Sequence, residues 1–256
     1  MYLDVKEIKE FYYRNTLGRA AKTSINKSLS NIWPETSGLN VAGFGFPLPF
    51  LSQYLDSARR VIALMPAQMG VVAWPKNDMN VSVLADEKRW PIDTGHVDRL
   101  IVSHSLEHTI DPSTLLAEAY RVLGPGGRAL FMVPNRAGLW SRSDSTPFGQ
   151  GKPFSSGQLE TQLRLHGFLP EKQFSALYML PSKNRSVLRF SPFLEKMGKK
   201  LPFLVGGLIM LEVSKLPDMV KGSHVLDHKE QGIGVLDGFS KGQPKPVLDV
   251  NNKKSL

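Results

Sequence analysis

Five short apolar runs, punctuated by turns and helix-forming stretches, constrain the fold of this chain more than any other feature. Residues 39–42, 60–65 (RVIALM), 81–85 (VSVLA), 99–103 (RLIVS) and 128–133 (RALFMV) each read as a buried strand. An unbroken apolar run of that length, bounded by glycine, proline and polar residues, suits a strand covered on both faces. Residues 50–54 and 112–123 read as helices between them. Such alternation requires parallel strands joined by right-handed crossovers. A ligand on such a sheet sits beyond the strands' carboxyl ends, where the strand order reverses. The expected class is therefore α/β, a mostly parallel sheet with helices on both faces.

The flanks extend this frame. Val5, Ile8, Phe11, Tyr12, Ile25 and Leu29 recur at helical spacing, with Gly18 as a break. Ser155 followed by Gln158 is a capping-box signature, so a helix should run from about residue 156 to 166 and stop at Gly167. Residues 174–180 and 207–213 read as a closing pair of strands. The expected division is a helical cap over 1–38, a main domain over 39–216 and a flexible tail over 217–256, where Gly, Lys, Asp and Pro replace the aromatics.

Composition removes several classes of chemistry. The chain has no cysteine, which excludes a disulfide framework, a thiolate metal site and a cysteine nucleophile. The opening MYLDVKEIKEFYYRN has acids and lysines where a secretory apolar region would stand. The apolar stretch 201–211 (LPFLVGGLIML) falls well short of the roughly 20 residues a spanning helix needs. The expectation is a cytoplasmic protein with no membrane span. The net charge of +9 is regional: residues 128–200 hold twelve Lys or Arg against four Asp or Glu. Such a segment either attracts anions or is a solvated face. No nucleic-acid-reading motif accompanies it, so a small-molecule partner is the expectation.

Chemistry should concentrate where the first strand ends, at Val41-Ala42-Gly43-Phe44-Gly45-Phe46-Pro47. Glycines at alternate positions permit a tight turn and a close approach of ligand to backbone, although a ligand-free strand-to-helix turn uses them equally well. Further along stand Ala85-Asp86-Glu87-Lys88-Arg89-Trp90-Pro91-Ile92, Val97-Asp98-Arg99-Leu100, Leu106-Glu107-His108 with Asp111-Pro112, and Arg121-Val122-Leu123-Gly124-Pro125-Gly126-Gly127-Arg128. Together these resemble the class I methyltransferase superfamily, in particular its type 11 domain, clearly over 39–135 and plausibly as far as Val213.

The resemblance implies a Rossmann-like seven-stranded fold and S-adenosylmethionine (SAM) as cofactor. It places Gly43, Phe44, Gly45, Met65, Asp86, Glu87 and Ser103 around that cofactor. Asp86 matches the carboxylate that accepts from the adenine amino group, and a turn cap is the alternative for it. Trp90 either packs on the adenine ring or is buried between elements. Asp98 and the turn 124–127 match scaffold positions. His104 follows the fourth strand, where it would act as a general base or orient a nucleophile, or merely bond loop backbone. Glu107 and His108, as sequence neighbours, would point apart on a helix, so no metal site is expected. Departures from the family pattern are Val41 for the first-strand acid, Pro47 at the third glycine position and Met65 for the acid that grips the ribose, with Gln68 a neutral substitute. Arg136, Trp140, Arg142 and Phe148, in the long loop after the fifth strand, interleave cations and aromatics that would hold a substrate. The leading expectation is a SAM-dependent methyltransferase with a small-molecule acceptor. The alternative is a non-catalytic binding or regulatory protein of the same fold.

Overall fold

A computed structural model describes residues 2–182, 184–198, 201 and 204–215; the expected tail over 217–256 lies outside the described residues. Two helices open the chain, α1 (Val5–Arg14) and α2 (Thr16–Ile32). They separate at Asn15, whose side chain accepts from Leu17 N as the cap of α2, while Gly18 lies inside α2. The expected break is thus displaced by three residues, because a side-chain cap on the free amides of a new helix outweighs the weak helix propensity of one glycine.

The apolar runs then form β1 (Asn40–Gly45), β2 (Arg60–Pro66), β3 (Ser82–Ala85), β4 (Val97–Ser103) and β5 (Leu123–Pro134). The short helix α3 (Leu48–Leu51) follows β1, and α4 (Pro112–Val122) lies between β4 and β5. Next come α5 (Ser156–Leu165), β6 (Phe168–Ala176), α6 (Arg185–Arg189), α7 (Ser191–Gly198) and β7 (Leu208–Lys215). The capping box of α5 forms as its residues require, with Ser155 and Gln158 each bonding the other's backbone.

All seven strands join one sheet in the order β3-β2-β1-β4-β5-β7-β6. The first five are parallel, while β7 runs antiparallel between β5 and β6. Strand alternation divides the core. Val41, Ile101, Leu130 and Met132 face α1, α2 and α3, whereas Ala42, Phe44, Leu100, Val102 and Phe131 face α4 and α5. The apolar runs are continuous because both faces are covered, as in parallel sheets generally. No helix among the described residues is long and apolar enough to cross a membrane.

On one side the covering is thin. The connections from β2 to β3 and from β3 to β4 contain no helix, and Val83 and Leu84 of β3 stay 37% and 49% exposed. A polar bracket takes a helix's place. Arg121 on α4 donates to the carbonyls of Trp90 (3.1 Å) and Ile92 (2.8 Å), and its other N–H groups bind Glu118 at 2.7 and 2.8 Å. Glu118 also accepts from Trp90 N at 2.6 Å. Trp90 itself is core: it is 2% exposed and stacks on Phe44 at 4.4 Å.

Candidate active site

The strand order reverses between β1 and β4, and there the two ends are drawn together by glycine. Gly45 has φ of +97°, and a Cβ at that position would lie 1.9 Å from the Ser103 carbonyl. Phe46 N donates to the same carbonyl at 2.9 Å. Gly43 lies under α3, where a Cβ would meet Pro47 Cβ at 2.4 Å. Both glycines are therefore required by protein packing at this junction, and Phe44 between them points into the opposite core.

The chain after Ser103 does not enter a helix. His104 takes a left-handed backbone, φ +51°, rare for a residue with a Cβ, and residues 103–109 wrap into a turn. That turn brings together side chains that helical spacing would have spread apart. His104, Glu107 and His108 are 2%, 3% and 4% exposed, and a donor atom of each lies within 4.8 Å of the others. The expectation that Glu107 and His108 diverge is corrected here, because it assumed helical backbone.

Burial sets the charge states of this cluster. His104 is pushed down to about 3, chiefly by desolvation with His108 adding repulsion, so it is neutral near pH 7. Burial pushes the Glu107 carboxyl up to about 7, opposed by backbone hydrogen bonds such as the one from Ser105 N at 3.1 Å.

Two residues of the N-terminal segment complete the site. The Tyr12 hydroxyl and His104 Nε2 share a 2.6 Å hydrogen bond, and the Tyr12 ring is surrounded by Phe46, Phe50 and Phe148. Tyr2 packs its ring 5.9 Å from that of His108, and burial beside Glu87 raises its phenol well above the ordinary range. The backbone anchors this segment, since Val5 N donates to Met69 O at 3.0 Å just beyond β2. In the sequence Tyr12 stands out only as part of the apolar face of a helix, and Tyr2 carries no periodic or motif signal at all. The spacing His104-x-x-Glu107-His108 was the one available signal for the cluster.

The remaining candidates divide. Asp86 is exposed and caps a turn, accepting from Lys88 N at 2.8 Å. Its neighbour Glu87 turns inward, with Oε2 accepting from Thr109 at 3.0 Å and Oε1 buried without a hydrogen-bond partner. Ser103 and Ser105 likewise keep buried hydroxyls without partners. Met65 is fully buried in the core under α1. In the long loop, Trp140 and Phe148 are buried and pack edge to face at 5.3 Å, Trp140 Nε1 donating to Met179 O at 2.7 Å. Arg136 and Arg142 are exposed, so cations and aromatics do not share one surface. Between α1 and residues 144–150 lies a cleft of about 510 Å³, walled by Leu3, Ile8, Phe11, Thr146 and Pro147 and rimmed by Glu7, Glu10, Arg14 and Asp144.

Residues 40–131 match the family model of a methyltransferase domain, type 11. A SAM-dependent methyltransferase of Thermotoga maritima superposes with a TM-score of 0.58 at 17% identity, covering 82% of this chain and 96% of that one. The chain has the class I methyltransferase fold. The [4+2]-cyclase SpnF shares this methyltransferase fold at a TM-score of 0.55 and 16% identity, over 79% of this chain and 84% of its own. An uncharacterized 37.1 kDa protein of a Streptomyces fradiae transposon is 32% identical over 107 residues, which is 40% of this chain but only 31% of that protein's length.

Proposed function

We propose that this methyltransferase-fold chain is a SAM-dependent methyltransferase acting on a small-molecule acceptor. The observation that carries the reading is the pair of buried hydroxyls without partners at the carboxyl end of β4, Ser103 Oγ and Ser105 Oγ, together with the Glu87 carboxylate turned inward after β3, where Thr109 and Tyr2 meet it. Buried polar groups are almost always satisfied, and this concentration at the switch point of an α/β sheet suits a polar ligand. Their chemistry fits the cofactor. Glu87 offers a carboxylate to an exocyclic amine, and the two serines offer hydroxyls that donate or accept. Tyr2 lies against Glu87, so a ligand that uses this carboxylate has to displace the Tyr2 side chain.

When bound, SAM supplies a methyl group already activated on sulfonium. The chain then has to position the acceptor and exclude water more than supply a strong base. The aromatic wall of Tyr12, Phe46, Phe50 and Phe148 does the excluding. His104, with its basicity lowered to about 3 by burial, takes no proton from an acceptor at neutral pH; we assign it a positioning role. The cleft beside α1 has the size of a small-molecule site.

Isothermal titration of the full chain with S-adenosylhomocysteine (SAH) tests the reading. Saturable binding in the micromolar range is expected, and no heat at millimolar ligand overturns it. Binding without transfer is a second reading, favoured by fully buried Met65 at the position of the ribose-gripping acid. SAH binding combined with no methyl transfer from labelled SAM into a small-molecule extract would select it.

A further inference from the structure

The cluster on the turn after β4 has the composition and geometry of a metal site. His104 Nδ1 lies 3.6 Å from Glu107 Oε1, is buried and makes no hydrogen bond. Two ligand atoms held about 2.0–2.1 Å from one tetrahedral ion stand roughly 3.4 Å apart, so this separation is already close to the bite of a shared ion. We propose that His104 Nδ1, a ring nitrogen of His108 and the Glu107 carboxylate bind one divalent transition-metal ion of the zinc or manganese type, leaving a coordination position open.

Three further observations support the site. The first is charge. Glu107 is 3% exposed, and no Lys or Arg among the described residues forms an ion pair with it. A buried carboxylate without a cation is costly, and a divalent ion removes that cost. Second, the outer nitrogen of His104 is occupied: Nε2 and the Tyr12 hydroxyl share a 2.6 Å hydrogen bond, which leaves Nδ1 turned toward Glu107. A metal-binding histidine holds its ring with such a bond on the nitrogen away from the ion, and the hydroxyl can accept from Nε2–H when Nδ1 ligates. Third, Glu107 is held in place, its Oε2 accepting from Ser105 N at 3.1 Å. A Cβ on Gly151 would lie 2.6 Å from Glu107 Cγ, and Lys152 N donates to the Glu107 carbonyl at 2.9 Å.

Two imidazoles and one carboxylate suit borderline ions, and three protein ligands with a free position are the pattern of reactive rather than purely structural sites. The inference stands apart from methyl transfer, because metal occupancy is read without cofactor.

The test uses the tag-free full chain, stripped with chelator and dialysed against zinc or manganese chloride, with bound metal measured by plasma mass spectrometry and affinity by titration. One equivalent of at least one of the two ions is expected, with a rise in melting temperature. Glu107→Gln and His104→Gln, shown to be folded by circular dichroism, should each weaken binding at least tenfold. His96→Ala, which changes an exposed histidine elsewhere, should bind like the parent. Absence of stoichiometric binding of both ions overturns the proposal, as does undiminished affinity in folded Glu107→Gln. Because SAH titration is scored separately, failure of this site leaves the methyltransferase reading standing, and the reverse holds too.

Discussion

Tyr12 of α1 and His104 of the turn after β4 stand 92 residues apart in sequence, and their side chains meet in a buried 2.6 Å hydrogen bond. Through this contact the N-terminal helix becomes a wall of the site. Tyr12→Phe keeps the ring among Phe46, Phe50 and Phe148 but leaves a buried ring nitrogen without its partner. We expect a loss of about 1–3 kcal/mol in urea unfolding. A change under a few tenths of that scale would show that the bond contributes nothing.

Tyr2 covers Glu87 and packs against His108, which sets it against any ligand that uses Glu87. Tyr2→Ala should tighten SAH binding on the order of tenfold, equivalent to about 1.4 kcal/mol. Weaker binding in this variant would mean that the tyrosine lines the occupied site instead of competing for it.

Gly45 and Gly126 both have positive φ, +97° and +72°, yet their surroundings differ. Nothing lies within 4 Å of a Cβ at Gly126, so Gly126→Ala should cost only the backbone preference, about 1–2 kcal/mol. At Gly45 the Ser103 carbonyl stands in the way, and β1 would have to part from β4. Gly45→Ala should yield insoluble protein or a melting temperature far below that of Gly126→Ala; equal stability of the two would contradict the described junction.

The Glu118–Arg121 bracket makes stability depend on acid. Hydrogen bonding to Arg121, aided by Trp90 N, holds the Glu118 carboxyl below its ordinary value of 4.5. A depressed folded-state pKa contributes stability that is fully present above the unfolded value and is lost as pH falls through the folded one. Between pH 5 and 3 the parent should therefore lose stability more steeply than Glu118→Gln. Parallel pH profiles from urea titrations would remove Glu118 from this account.

In the loop after β5, aromatics and cations should behave oppositely. Trp140→Ala opens a cavity in the core and should cost about 3–5 kcal/mol. Arg136→Ala and Arg142→Ala, at exposed positions, should stay within about 0.5 kcal/mol of the parent. Thermal unfolding of the three variants compares them directly.

The sheet was legible because its signal is local. Residues 99–103 sit inside β4, and Ser155 and Gln158 both take their capping roles. Boundaries failed where pairing decides them. The apolar run begins at residue 128, yet β5 begins at Leu123, because Leu123 pairs with Val97 and the glycine-rich residues 124–127 lie within the strand as an irregularity in its register with β4. The glycines placed after the first strand lie in its last turnless residues, Gly43 and Gly45, because β4 pairs with both. The site was less legible. Whether Asp86 or Glu87 points inward depends on a turn whose geometry no local pattern encodes, and the left-handed backbone of His104 cannot be read from its residue type. Tyr2 and Tyr12 reach the site only through the long-range packing of α1, which periodicity marks as helical without saying what it covers.

Arg121 holds the segment before β4 by the carbonyl oxygens of Trp90 and Ile92. Every residue type carries that oxygen, so the two bonds hold the backbone of the segment whatever stands at exposed Pro91 and Asp93. The side chain of Ile92, by contrast, packs on the core behind the sheet, so the stretch can change its outward face only at the positions between its anchors.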